Sequence, residues 1–401
     1  MATASGTRAS RLTPVMREGE RVMPLELFFD LVFVLAITQC TTLMADDPTW
    51  EGLARGMLVL GVLWWSWVGY SWLTSVVDPE EGAVRIAIFG AMAALLIVSL
   101  CVPEAFGGLA LEFALAYGVV RVGQIVLFVL ASRDDPELRR SVTGLAIGTA
   151  IGVGLLIGAS FLDGFAQGAL WALALLLDMG DPFVFGSQGW KLSPAHFAER
   201  HGLIIIIALG ESIVAIGVGA EVGLSFGVAA AAVLGIALAA ALWWIYFDVV
   251  ALVAARRLAG ATVGREQNEM ARDSYSYIHF AMVAGIVLVA LGLKKTLGDV
   301  EDPLKIEPAF ALLGGLAIYL LGHVAFRLRN IHTLNRQRLV LAATFLALIP
   351  LAVEISALAI LAVVNVLIWG LIVYETTRYG EARARVRREL AGEPAPAAGE
   401  T

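Results

Sequence analysis

Only two cysteines, Cys40 and Cys101, occur in the chain, and both lie inside apolar runs. That leaves no disulfide framework and no thiolate spacing for a metal; they read as small core residues. Charge is also scarce: 16% of residues are Asp, Glu, Lys or Arg, against about a quarter in soluble domains. No glycine-rich phosphate loop, nucleophile elbow, kinase set or zinc motif is present, and no polar stretch is long enough to fold into a catalytic domain. An enzyme is therefore not expected, nor a cofactor or metal. The basic residues form no face on which a nucleic acid could bind. The first twenty residues are polar, with Arg8, Arg11, Arg17, Glu18 and Glu20 among them, so no cleavable signal is expected.

What remains is apolar. Hydrophobic residues make up 59% of the chain and the mean hydropathy is +0.81, the composition of a membrane protein. The lipid bilayer is its first expected partner. Twelve stretches are long enough, or nearly so, to cross: 26–45, 56–77, 84–102, 109–131, 141–161, 164–178, 202–220, 224–252, 274–295, 308–328, 338–355 and 356–376. With the N-terminus inside, 23 basic residues fall on the cytoplasmic side and 4 outside (Arg55, Lys294, Lys295, Lys305), with Arg121 within a span; together they are all 28. Such a bias puts both termini in the cytoplasm and favours an even number of spans.

The halves resemble each other. Trp64-Trp65 is echoed by Trp243-Trp244, and Phe113-Ala-Leu-Ala-Tyr-Gly118 by Phe310-Ala-Leu-Leu-Gly-Gly315. The second offset also sets Arg139 on Arg336 and Asp178 on Glu375. The expected fold is an all-α polytopic membrane protein, about twelve transmembrane helices arranged as two parallel six-helix repeats. Its expected parts are a cytoplasmic segment 1–22, repeats 23–190 and 191–378, and a disordered cytoplasmic tail 379–401. Parallel repeats place a transport site where they meet.

A few ionisable residues sit at depth, where a charge needs a partner, water or a proton. Glu26 and Asp30, four apart, share a helix face at the start of the first span; Gln39 continues a polar stripe along it, and Glu26 could equally cap the helix. Arg121 lies twelve residues before Arg133, roughly 18 Å inward. Glu211 is eleven residues beyond Arg200, roughly 16 Å along a helix. Opposite in sign and alike in depth, Arg121 and Glu211 are expected to pair, or Arg121 to pair with Asp30. A static pair and a gating pair look identical in sequence.

His196, Glu199, Arg200 and His201 open the seventh span within two turns. They read either as a pH-responsive proton intake, since histidine titrates near neutrality, or as an interfacial cluster that orients the helix. Asp248 and His279 are further pathway candidates, and His323 reads as a core or interface residue. Trp64 and Trp65 lie too deep for an interfacial belt and are candidate pocket-lining residues. Glycines 144, 148 and 152 give two G-x-x-x-G spacings, a close-packing signal.

Three stretches carry a family resemblance. Glu26-Leu-Phe-Phe-Asp-Leu-Val-Phe-Val-Leu-Ala-Ile37, His196-Phe-Ala-Glu-Arg-His-Gly-Leu-Ile-Ile-Ile-Ile-Ala-Leu-Gly-Glu211-Ser and Ser274-Tyr-Ser-Tyr-Ile-His279 are similar to signatures of the bacterial low-temperature-requirement A (LtrA) family. The likeness covers roughly residues 20–378. It implies a multi-spanning bacterial inner-membrane protein linked to growth in the cold, and it brings no residue roles with it. Phe29-Asp30 also resembles part of the Phe-Ser-Asp signature of a potassium-channel family built from six-span units, although the serine is missing and the preceding arginine is offset.

Three functions remain open. One is a secondary transporter, proton-coupled or not, of a small solute or ion. Another is a cation channel lined by the first helix of each repeat, which would need a homodimer or pseudo-tetramer to build its constriction. The last is a structural or regulatory membrane protein without flux. The twelve-span pattern is similar to the major facilitator architecture, but Asp78-Pro-Glu-Glu-Gly82 stands where that family has a basic loop.

Overall fold

The structure, a computed structural model, describes residues 21–80, 82–184 and 189–391; the expected segment 1–22 thus lies almost wholly outside the described residues. The described chain is helical, and among the described residues it contains no strand. Its helices are α1 (Pro24–Asp46), α2 (Trp50–Val76), α3 (Gly82–Cys101), α4 (Ala110–Ala131), α5 (Pro136–Ala159), α6 (Gly164–Val184), α7 (Pro194–Gly219), α8 (Phe226–Phe247), α9 (Val250–Ala259), α10 (Arg265–Met270), α11 (His279–Gly298), α12 (Ile306–Ala309), α13 (Gly315–Ile331), α14 (Arg336–Ala347), α15 (Ile349–Ala352) and α16 (Ala357–Ala391). Two π-helical stretches, Ala271–Ile278 and Phe310–Gly314, lead into α11 and α13.

Local chemistry sets the starts. Pro24 occupies the first turn of α1, where a missing N–H costs nothing, and Glu26 accepts a hydrogen bond from the Met23 N–H at 2.8 Å. Thr49 caps α2 through Gly52 N at 3.1 Å, and Ser225 caps α8 through Val228 N at 3.2 Å. Asp135 caps α5 by accepting from Leu138 N at 3.1 Å. That bond, helped by Lys191, holds the Asp135 carboxyl below its ordinary range.

Ten helices among the described residues are long and apolar enough to cross a membrane, two fewer than the sequence suggests. The two that fall short are α6, whose apolar run is broken by Gln167, Asp178 and Asp181, and α14, which spans only 12 residues before α15. Of the tail expected from residue 379, the described part continues α16 helically to Ala391, with non-helical backbone at Tyr379, and 392–401 lie outside the described residues.

The chain divides into two units, Met1–Arg200 with Ala261–Arg272, and His201–Gly260 with Asp273–Thr401. In the first, α1 packs on α2 and α3, α3 on α4, α4 on α5, and α5 on α6. One face of α4 carries Leu115, Val119, Val122, Val126 and Val129, all exposed. Their three- and four-residue spacing makes a continuous apolar stripe, which suits lipid and not water. Gly148 and Gly152 of α5 lie against Asp181 and Asp178 of α6, so the flagged glycine spacing does mark a close contact.

In the second unit the tightest packing joins α11 to α13. A methyl group on Gly285 would come within 2.7 Å of the Gly315 carbonyl oxygen, and one on Gly292 within 2.6 Å of the Leu312 side chain. Only hydrogen fits at this backbone-to-backbone crossing. We expect Gly285→Ala to lower stability by about 1–3 kcal/mol through overpacking. Gly154→Ala, where no atom lies within 4 Å, is the matched control. Thermal unfolding of both variants in detergent checks this, and equal melting temperatures would contradict it.

Candidate functional site: two buried charge clusters

The helix starts of α1 and α7 supply the first cluster, within the first unit. Glu26, Asp30, His196 and Arg200 are each no more than 1% exposed. His196 Nε2 lies 2.8 Å from Glu26 Oε1, and its Nδ1 is 3.2 Å from the Ser75 hydroxyl. The Arg200 guanidinium donates through Nη1 to Glu26 at 3.3 Å and to Thr74 at 3.0 Å, and through Nη2 to Asp30. Trp67 donates its indole N–H to Asp30 at 2.8 Å, and the guanidinium lies over that indole, 5.5 Å from the ring centroid. Asp30 Oδ2 has no hydrogen-bond partner among the described residues. Two carboxylates therefore share one guanidinium and one imidazole, out of contact with water.

A helix places side chains four apart on the same side, which is why Glu26 with Asp30 on α1 can meet His196 with Arg200 on α7. The four ionisable residues that open α7 do not act together. Glu199 is exposed and accepts from the Val22 N–H at 3.1 Å. His201 is buried among the rings of the second unit, with centroids 5.1 Å from Tyr275 and 5.4 Å from His279.

The second cluster is built on α4, α5 and α6. Arg121, 1% exposed, donates to Asp178 Oδ1 at 2.8 Å, Thr149 at 2.7 Å and Gln124 at 2.9 Å. Tyr117 donates to the other Asp178 oxygen at 3.4 Å. The expected pairing of Arg121 with Glu211 or Asp30 is thus corrected: its carboxylate is Asp178. Depth along each helix, counted from the nearest loop arginine, sets Arg121 and Glu211 level, whereas the sequence places Asp178 at the end of the short span 164–178. The available signal was Asp178 with Asp181, three apart at the end of a leucine run. Glu211 is buried, 3% exposed, so neither it nor Arg121 faces outward.

In the second unit His279 is buried with both ring nitrogens bonded, Nδ1 at 2.8 Å from the Ser274 carbonyl and Nε2 at 2.9 Å from the Tyr246 hydroxyl. The carbonyl can only accept, so Nδ1 carries the proton and Nε2 accepts from tyrosine. Asp248, at the end of α8, forms an ion pair with Arg383 at 3.0 Å. Glu375 receives Arg338 in a bidentate pair at 3.0 and 2.8 Å. Trp64 and Trp65 are buried on α2, and Trp64 stacks on Trp67 at 5.1 Å; the ring that reaches the cluster is Trp67, which the sequence did not single out. Gln39 is half-buried and belongs to neither cluster. Among the described residues no group of three or more His, Cys, Asp or Glu could hold a metal ion.

Comparison with known proteins adds the lineage. A family profile described as "Bacterial low temperature requirement A protein (LtrA)" matches residues 21–373. An uncharacterized protein of Rhizobium meliloti (strain 1021) is 29% identical over 308 residues, covering 74% of this chain and 75% of the relative. No solved structure matches.

Asp178→Asn would leave the Arg121 guanidinium buried and uncompensated, a loss of about 3–5 kcal/mol. The double variant Arg121→Gln/Asp178→Asn is expected to recover a large part of that loss. A thermal double-mutant cycle measures the coupling, and additive losses would contradict it.

Proposed function

The chain belongs to the bacterial low temperature requirement A family, and we propose that it is a proton-coupled secondary transporter of a small solute or ion in the bacterial cytoplasmic membrane. The observation that carries this reading is the charge balance of the α1–α7 cluster. With His196 neutral, Glu26 and Asp30 outnumber Arg200 by one, and a single uncompensated charge in the interior of a bilayer is costly. One added proton restores neutrality, and His196, bonded to Glu26, is placed to take it.

Protonated, His196 neutralises Glu26 and leaves Arg200 to Asp30. Deprotonated, it leaves both acids to Arg200, whose Nη1 already reaches Glu26 and Thr74. The proton thereby changes which bonds tie α1 to the start of α7, and a solute that prefers one arrangement is coupled to it. The bias of basic residues supports cytoplasmic termini, which puts this cluster near the inner surface. Counting α6 and α14 as membrane-embedded brings the crossings to twelve and supports two six-helix repeats. In that scheme Asp178 and Glu375 are equivalent positions, and each accepts an arginine within its own unit.

Proteoliposomes carrying entrapped pyranine test this reading against a panel of inorganic ions, amino acids and sugars. At least one member is expected to move protons with it. Glu26→Gln and His196→Asn are each expected to reduce that proton movement at least tenfold, as loss of the sole coupling site would. Flux unchanged in both variants, or none with the whole panel, would contradict the proposal.

A further inference from the structure

The second unit contains a cavity of about 240 Å³ between α9, the end of α13, the start of α14 and α16. Its lining includes apolar Val249, Val253 and Phe326, and the polar side chains of Arg327, Arg338, Arg383, Glu375 and His323. His323 is the unusual member. It is 1% exposed, and neither ring nitrogen has a hydrogen-bond partner among the described residues. An imidazole always presents at least one donor, and a buried polar group left without a partner costs roughly 1–3 kcal/mol.

The guanidiniums are only partly used. Arg338 gives Nε and Nη2 to Glu375, and Arg327 gives Nε to Thr333 at 2.9 Å. Nη1 of Arg338 and both Nη atoms of Arg327 make no hydrogen bond among the described residues. Arg383 bridges Asp248 and Glu375. Three guanidiniums thus meet two carboxylates, which leaves one positive charge in excess; the spare donors are on Arg338 and the exposed Arg327, and His323 adds an unbonded imidazole.

We propose that this cavity binds an amphipathic anion, a carboxylate or phosphate head carrying a short apolar tail. The head would take the free N–H groups of Arg338 and Arg327 and the imidazole of His323, since planar guanidinium forks suit such oxygens. The tail would lie along Val249, Val253 and Phe326. Two sources share this chemistry: a free organic anion and the headgroup region of an anionic lipid. The site is distinct from the α1–α7 cluster and does not depend on proton coupling there.

Binding to the purified full-length protein is read as a change in melting temperature, a readout that needs no flux. Two probes serve: octyl phosphate in neutral detergent, and phosphatidylglycerol in nanodiscs compared with phosphatidylcholine. A ligand held by the folded state raises the melting temperature in a concentration-dependent way. Val253→Trp fills the cavity without touching an ion pair, and His323→Phe removes the imbalance at comparable size. Each is expected to weaken the apparent affinity by about tenfold or more, the scale of one or two lost hydrogen bonds. Stabilisation by octyl phosphate that both variants weaken supports a free solute. Stabilisation by phosphatidylglycerol alone, weakened in the same way, supports a lipid. No stabilisation by either probe, or stabilisation that survives Val253→Trp, overturns the proposal.

Discussion

One guanidinium shared by two carboxylates inside an apolar helix bundle is the constraint around which the first unit is organised. Arg200 cannot lose its charge, so Glu26 and Asp30 must meet it, and their four-residue spacing on α1 is what allows both to do so. Trp67 donates to Asp30 and spreads its ring beneath the guanidinium, so α2 is drawn into the same arrangement. Thr74 and Ser75, about two turns further along α2, bond Arg200 and His196. Three helices are thereby tied at one level by hydrogen bonds that cannot be exchanged for water without opening the bundle.

The same solution recurs with different residues. Asp178 is held by Arg121 on α4, and Glu375 by Arg338 on α14. Each acid is met by an arginine that reaches it from another helix of the same unit. Apolar packing fills the space around them: the glycine crossing of α11 and α13 brings two backbones into contact in the second unit, while exposed valines and leucines form the outer face of α4 in the first. A bilayer supplies little hydrophobic drive between helices, so close packing and these charged bonds carry the specificity.

Much of this was legible in the sequence. Long apolar runs announce helices, and Glu26, Asp30, His196 and Arg200 announce themselves as charges where charge is expensive. Their partnership was not legible, because spacing along one helix says nothing about which other helix faces it. Arg121 shows the limit most clearly: depth arguments matched it to Glu211, while its acid lies on α6, a helix whose polar residues lower its hydropathy and made it look like a short span. Trp67 is one of five aromatic residues within nine positions, with Trp64, Trp65, Tyr70 and Trp72, and spacing alone does not say which of them meets the cluster. The glycines that matter most for packing, Gly285 and Gly292, carried no short G-x-x-x-G spacing, since the close approach is shared with Gly315 on another helix.

The central claim is that the α1–α7 cluster holds one exchangeable proton, on His196. Nitrogen-15 spectra of the full-length protein with labelled histidine, recorded across a series of pH values in lipid, test it most directly. The account predicts that the His196 resonances, assigned by their loss in His196→Asn, pass between neutral and doubly protonated ring signatures, and that Glu26→Gln alters that transition. A His196 ring fixed in one protonation state at every pH at which the protein stays folded would contradict it.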